Sequence, residues 1–174
     1  RGDLVQTADG RSVPVQWIGI NTVSTKFADP LRMMPVRIRA GALAENVPLR
    51  DLLVSPDHAL FIDGVLVQAG ALVNRVSITR ETHMPENFIY YHVELEDHSL
   101  ILAEGAVTET FVDNVDRMAF DNWTEHQTLF GDDKPIPEMT YPRAKSARQV
   151  PRAIRELLST RQSHLIDAAS SVAA

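Results

Sequence analysis

Residues 52–68 read Leu52-Leu53-Val54-Ser55-Pro56-Asp57-His58-Ala59-Leu60-Phe61-Ile62-Asp63-Gly64-Val65-Leu66-Val67-Gln68. Two apolar runs, Asp51–Val54 and Ala59–Ile62, flank the polar tetrad Ser-Pro-Asp-His. Asp63-Gly64 then separates Ala59–Ile62 from Val65–Gln68, and Asp-Gly between apolar runs of this length signals a β-hairpin. Ser55, Pro56 and Asp57 fit the first three positions of a type I turn. The whole stretch therefore predicts strand, tight turn, and hairpin.

The same texture extends outward on both sides. Ser12–Ile20 alternates through Val13, Val15 and Trp17 and ends on a turn-like Asn21-Thr22. Pro35–Ile38 alternates again, and Val73–Thr79 is rich in β-formers. Phe88–Leu95 is dense in aromatic and β-branched residues. Ser99–Ala103 follows it and closes at Glu104-Gly105, where Gly105 suits a positive φ. Short strands at this spacing predict an all-β fold. Ala40-Gly41-Ala42-Leu43 recurs as Ala69-Gly70-Ala71-Leu72, which reads as a repeated strand–turn unit or as coincidence.

The C-terminal part changes character. Asp132–Pro142 holds three of the ten prolines and reads as an irregular connector. Pro151 can open a helix, and Ile154, Leu157, Leu158 and Leu165 form one apolar stripe after it. Residues 151–162 are thus expected as an amphipathic helix docked on a β body, with the final AASSVAA frayed. The expected division is a β domain over 1–131 and a connector with helical tail over 132–174.

Composition narrows the function classes. The chain has 174 residues, 44% of them apolar and 23% charged, the balance of one folded globular domain. No apolar run is long enough to span a bilayer. There is no cysteine, hence no disulfide, thiolate zinc site or thiol nucleophile within these residues. Net charge is −6, yet residues 142–162 carry +5 (Arg143, Lys145, Arg148, Arg152, Arg155 and Arg161 against Glu156), leaving −11 on the remainder. An acidic body argues against a nucleic-acid surface. The basic stretch reads as a solvated helix face, as a segment packed on the acidic body, or as a docking face for an acidic protein.

Three groups could carry chemistry. The tetrad turn brings Ser55 and His58 together, and a hydroxyl beside an imidazole can polarise a carbonyl and protonate a leaving nitrogen. A Ser–His hydrolase is the weaker use of that pair, because no Gly-x-Ser-x-Gly elbow is present. His92 and His98 flank a segment with Glu94, Glu96 and Asp97, which is conceivable as a metal site but reads as a solvated acidic turn, so no metal and no cofactor is assigned. The third group is the Leu102–Ala106 turn, with Glu109 and Thr110 beyond it on the same edge.

Taken in order, Gly2-Asp3-Leu4-Val5, Val15-Gln16-Trp17-Ile18-Gly19, Leu52 to Leu60, and Tyr91-His92-Val93-Glu94-Leu95 through Glu104-Gly105 resemble the Hint domain shared by hedgehog autoprocessing domains and inteins, most closely its bacterial branch. The resemblance covers about residues 1–122. It implies a horseshoe of short strands with pseudo-twofold symmetry. It also implies an N-to-S acyl shift, in which a cysteine at the start of the domain attacks the preceding peptide bond and the resulting thioester is resolved. The family's Thr-x-x-His motif falls on Ser55 and His58, which implies that His58 protonates the departing nitrogen and Ser55 holds the scissile peptide. His98 falls near a second family histidine.

The departures shape the expectation. The Gly2-Asp3 pair falls about two strands after the family's nucleophile, so the first strand pair and the nucleophile are expected in a segment upstream of Arg1. The His-Asn pair that ends inteins is replaced by Thr108-Glu109-Thr110, which leaves no asparagine for splicing. The carboxylate that animal hedgehog domains use for sterol activation is absent from Ile20-Asn21-Thr22. What remains is hydrolytic self-cleavage that releases an upstream passenger, in a secreted or cell-surface setting like that of bacterial relatives. The alternative is a catalytically inactive Hint fold used as a binding or assembly module.

Overall fold

The computed structural model describes residues 1–112, 117–131 and 135–172. Its N-terminal hairpin pairs β1 (Leu4–Gln6) with β2 (Ser12–Pro14). Pro14 ends β2, because proline has no N–H to give a ladder, and the chain resumes as β3 (Trp17–Ser24). The single strand expected over Ser12–Ile20 is therefore two. Asn21 and Thr22, expected as a turn, lie inside β3 and pair with Tyr90 and Ile89. Long-range pairing overrides their local turn preference.

A short helix follows, α1 (Pro30–Met33), with Pro30 at its start and the Asp29 carboxylate accepting from the Leu31 N–H at 2.9 Å. Then come β4 (Val36–Ile38), β5 (Leu52–Val54), β6 (Ala59–Ile62), β7 (Val65–Gln68) and β8 (Ile78–Arg80). Asp63 and Gly64 both take positive φ, as the hairpin reading of the Asp-Gly pair requires. The Val73–Thr79 run is a strand only from Ile78. Asn74 Oδ1 accepts from the N–H groups of Val76, Ser77 and Ile78 at 3.0, 3.0 and 2.9 Å, which folds the preceding residues into a loop.

The rest comprises β9 (Asn87–Glu94), β10 (Leu100–Ala103), β11 (Ala106–Glu109), α2 (Trp123–Phe130), β12 (Arg143–Ala144) and α3 (Arg152–Val172). Gly105 has φ +82° in the β10–β11 turn. With 32% strand and 23% helix, the fold is mostly β, not all-β. The sequence reading missed α2, which Gly131 ends at φ 68° with its N–H on the Gln127 carbonyl. It also stopped α3 ten residues short. That helix continues through most of the stretch expected to fray, whose last two residues lie outside those described, as does 132–134 of the expected connector.

The described strands form several small sheets: β1-β2, β3-β9, β5-β4-β8, and β10-β11-β6-β7-β12. All pairings are antiparallel except β12 on β7. The main core gathers Val36, Ile38, Leu60, Val67 and Ile78 with Ile154 and Leu158 of α3, so the helix buries its apolar stripe on the β body. Leu157, expected on that stripe, is 44% exposed. The two Ala-Gly-Ala-Leu segments do not share a conformation: Gly41 sits in a turn at φ +72°, whereas Ala69–Leu72 is a 3-10 turn.

Candidate functional site

The Ser55–His58 turn forms as expected, closed by the His58 N–H on the Ser55 carbonyl at 3.1 Å. It is braced from behind by the 3-10 turn after β7. The Ala69 N–H donates to the His58 carbonyl at 2.9 Å and the Gly70 N–H to the Pro56 carbonyl at 2.8 Å. Ser55 and His58 thereby face one cleft of about 450 Å³, together with His92, Thr110, Phe111, Arg143 and Lys145.

Strand pairing fixes what His58 meets. Thr108 of β11 stands opposite Leu60 of β6, and its hydroxyl reaches back to Ala59 and His58. Thr108 Oγ1 lies 3.0 Å from the Ala59 carbonyl, which can only accept, so the hydroxyl proton goes there. Thr108 Oγ1 must then accept from His58 Nε2, 2.5 Å away. In neutral His58 the proton is therefore on Nε2, and Nδ1 keeps its lone pair. Among the described residues nothing hydrogen-bonds to Nδ1. Burial pushes the His58 pKa down, and the nearby Glu109 carboxylate opposes this only in part, so the ring is neutral at neutral pH.

Behind His58 lies a buried charged cluster. Glu109 Oε1 accepts from the Ala59 N–H at 3.0 Å and from Arg143 Nη1 at 3.3 Å, while Oε2 accepts from Arg143 Nη2 at 2.5 Å. Burial alone would raise the Glu109 pKa. Hydrogen bonds from His98 and Arg143, and then the Arg143 charge, outweigh it and hold the group at about 2. Arg143 also pairs with Glu138.

His98 lies outside the cleft lining, its side chain fully buried behind Glu109. The Met139 N–H donates to His98 Nδ1 at 2.9 Å, so the ring proton sits on Nε2 and points at Glu109 Oε2, 3.2 Å away. The structure brings Ser55 and His58 together at the cleft and links His98 to them only through Glu109.

His92 reaches the cleft from β9, opposite Gly19 of β3. A side chain at Gly19 would come within 2.9 Å of the Phe120 ring, which packs edge-on against His92 at 4.9 Å. Burial, with His58 adding to it, drives His92 down to about 4. The carboxylates near His92 in sequence go elsewhere: Glu94 turns inward to Arg117 and His126, and Asp97 bonds to Ser99. Among the described residues no group of three or more His, Asp or Glu side chains is placed to hold a metal ion, and no helix is long and apolar enough to cross a membrane.

Sequence reading gives four members of this site no role beside His58. His92 reads as a possible metal ligand, Glu109 as a neighbour of the Leu102–Ala106 turn and, with Thr108, as part of what replaces a splicing pair, and Arg143 as part of a basic tail. One signal was available: Thr108-Glu109-Thr110 puts three polar residues at a strand end, and all three are buried. Of the basic stretch, Arg143 turns inward to Glu109, and the Arg161 guanidinium donates to the Gly41 carbonyl at 3.1 Å. Lys145, Arg148, Arg152 and Arg155 are exposed.

A family model described as Hint domain matches residues 1–115 of the 174. No curated protein and no solved structure matches the chain.

Proposed function

The chain belongs to the Hint domain family, and from that membership we propose that it is an autoprocessing domain that cleaves the peptide bond at the domain's own N-terminus and releases an upstream passenger. The observation that carries this reading is the state of His58: Nε2 is committed to Thr108, Nδ1 keeps its lone pair, and the residue lines the same cleft as Ser55.

These residues contain no cysteine, so this reading requires a thiol from an upstream segment of the same polypeptide. Neutral His58 takes the thiol proton on Nδ1. The sulfur attacks the carbonyl carbon of the preceding peptide bond, whose oxygen Ser55 holds by hydrogen bonding. As the carbon–sulfur bond forms and the carbon–nitrogen bond breaks, His58 returns the proton to the leaving nitrogen. Water then attacks the thioester, the carbon–sulfur bond breaks, the thiol regains a proton, and the passenger leaves as a carboxylic acid. His98 acts as a positioning residue through Glu109.

The test is a trap for the thioester. The parent polypeptide with its native upstream sequence is incubated with hydroxylamine, and the released passenger is weighed. A passenger ending in a hydroxamate supports the reading. A folded parent that stays uncut under hydroxylamine contradicts it and favours the inactive fold as a binding or assembly module.

A further inference from the structure

The strand that follows His58, β6, is joined to the strand that carries Thr108, β11, by a thin seam. The β6–β11 register has one paired position, Thr108 with Leu60. At Ala59, just beyond it, side chains of β11 meet the backbone: Glu109 takes the N–H and Thr108 takes the carbonyl, each at 3.0 Å. The His58 ring geometry depends on that clamp, because Thr108 bonds both the Ala59 carbonyl and His58 Nε2.

Glu109 holds its half of the clamp only while its carboxylate is charged and oriented. A buried carboxylate needs a cation, and a planar guanidinium grips both oxygens at once. Arg143 supplies that grip at 3.3 and 2.5 Å. It comes from β12, beyond the 115 residues matched by the family. The delivery is built into the fold: β12 pairs in parallel with β7, Arg143 beside Leu66 and Ala144 beside Val67, and the Leu66 N–H bonds the Pro142 carbonyl at 2.9 Å. Ala144 is buried, and Ile154 and Leu158 of α3 anchor the segment in the main core.

We propose that Arg143 is a positioning residue for the His58 cleft, supplied by the C-terminal segment, which sets the Glu109 carboxylate against Ala59 and so holds His58 and Thr108 in register. The Hint unit of this chain is then incomplete without residues from β12 onward. The role in cleavage rests on the autoprocessing reading; the role in fixing His58 does not.

The experiment therefore reads His58 directly. Nitrogen-15 NMR of the chain reports which ring nitrogen of His58 carries the proton, and a cleavage assay on the parent runs in parallel. Arg143→Lys keeps the charge but loses the two-pronged grip. It is expected to leave the protein folded, to mix the two His58 proton positions, and to slow cleavage by about 10- to 100-fold. Arg143→Met is expected to do more. If Met at this position unfolds the protein, the lysine variant decides alone. A folded lysine variant whose His58 keeps its proton on Nε2, and which cleaves at the wild-type rate, overturns the proposal. If the wild-type parent does not cleave at all, autoprocessing fails, and the NMR comparison still decides whether Arg143 fixes His58.

Discussion

His58 Nε2 lies 2.5 Å from the hydroxyl oxygen of Thr108, 50 residues further along the chain, and that hydroxyl is already committed to the Ala59 carbonyl. The two bonds together decide where the imidazole proton sits. A ring whose Nε2 is tied back keeps its lone pair on Nδ1, and a neutral Nδ1 can take a proton and return it.

Thr108→Val tests that link, since valine keeps the shape and removes the hydroxyl. It leaves the Ala59 carbonyl and His58 Nε2 without their partner, so a stability loss of about 1–3 kcal/mol is expected. Nitrogen-15 NMR should show His58 with both proton positions populated, and cleavage by the parent should slow by about 10- to 100-fold. A variant with unchanged His58 signals would remove Thr108 from the account.

Glu109 governs acid stability. Its folded pKa, about 2, lies below the ordinary 4.5. In the window between them the unfolded chain binds the proton more readily, so the Glu109 contribution to stability is full above about pH 4.5 and is lost as pH drops toward 2. The loss is on the order of 3 kcal/mol. Glu109→Gln should flatten this part of the profile while costing about 3 kcal/mol at neutral pH, because Arg143 stays buried without its carboxylate. Urea midpoints from pH 7 to 2 check both effects, and parallel profiles for variant and wild type would contradict them.

His92 acts in a separate window. Its folded pKa of about 4 lies below the ordinary 6.5, so the unfolded state takes up the proton first and stability falls as pH drops from about 6.5 to 4. In the folded protein the His92 ring signals should hold steady down to about pH 5 and move near pH 4. His92→Leu should reduce the stability loss in that window, leaving the share of buried His58, whose pKa is also lowered, and leave the Glu109 window intact. A His92 that titrates near 6.5 in the folded state would show that the cleft is not dry around it.

What the sequence disclosed follows the range of the forces involved. The Ser55–His58 turn and the Asp63-Gly64 hairpin were legible because each is set by neighbours in sequence. Their residue types select the backbone directly. The partners of His58 were not legible. Thr108, Glu109 and Arg143 arrive through strand register, and nothing local to them says which carbonyl or carboxylate they will meet. Asn21-Thr22 misled for the same reason: eight pairs with β9 outweigh a two-residue turn preference. Val73–Ser77 misled in the opposite direction, since one asparagine side chain captured three backbone N–H groups that a strand would have used. Arg143 read as one charge in a basic run, and only the parallel pairing of β12 turns it inward.

The most direct measurement is the intact mass of the parent polypeptide, expressed with its native upstream sequence, beside its His58→Ala variant. The account predicts that the wild type separates into passenger and domain at the peptide bond preceding the upstream nucleophile, and that the variant keeps its full mass while remaining folded. Equal cleavage in both, or a folded wild type that stays whole, would contradict it.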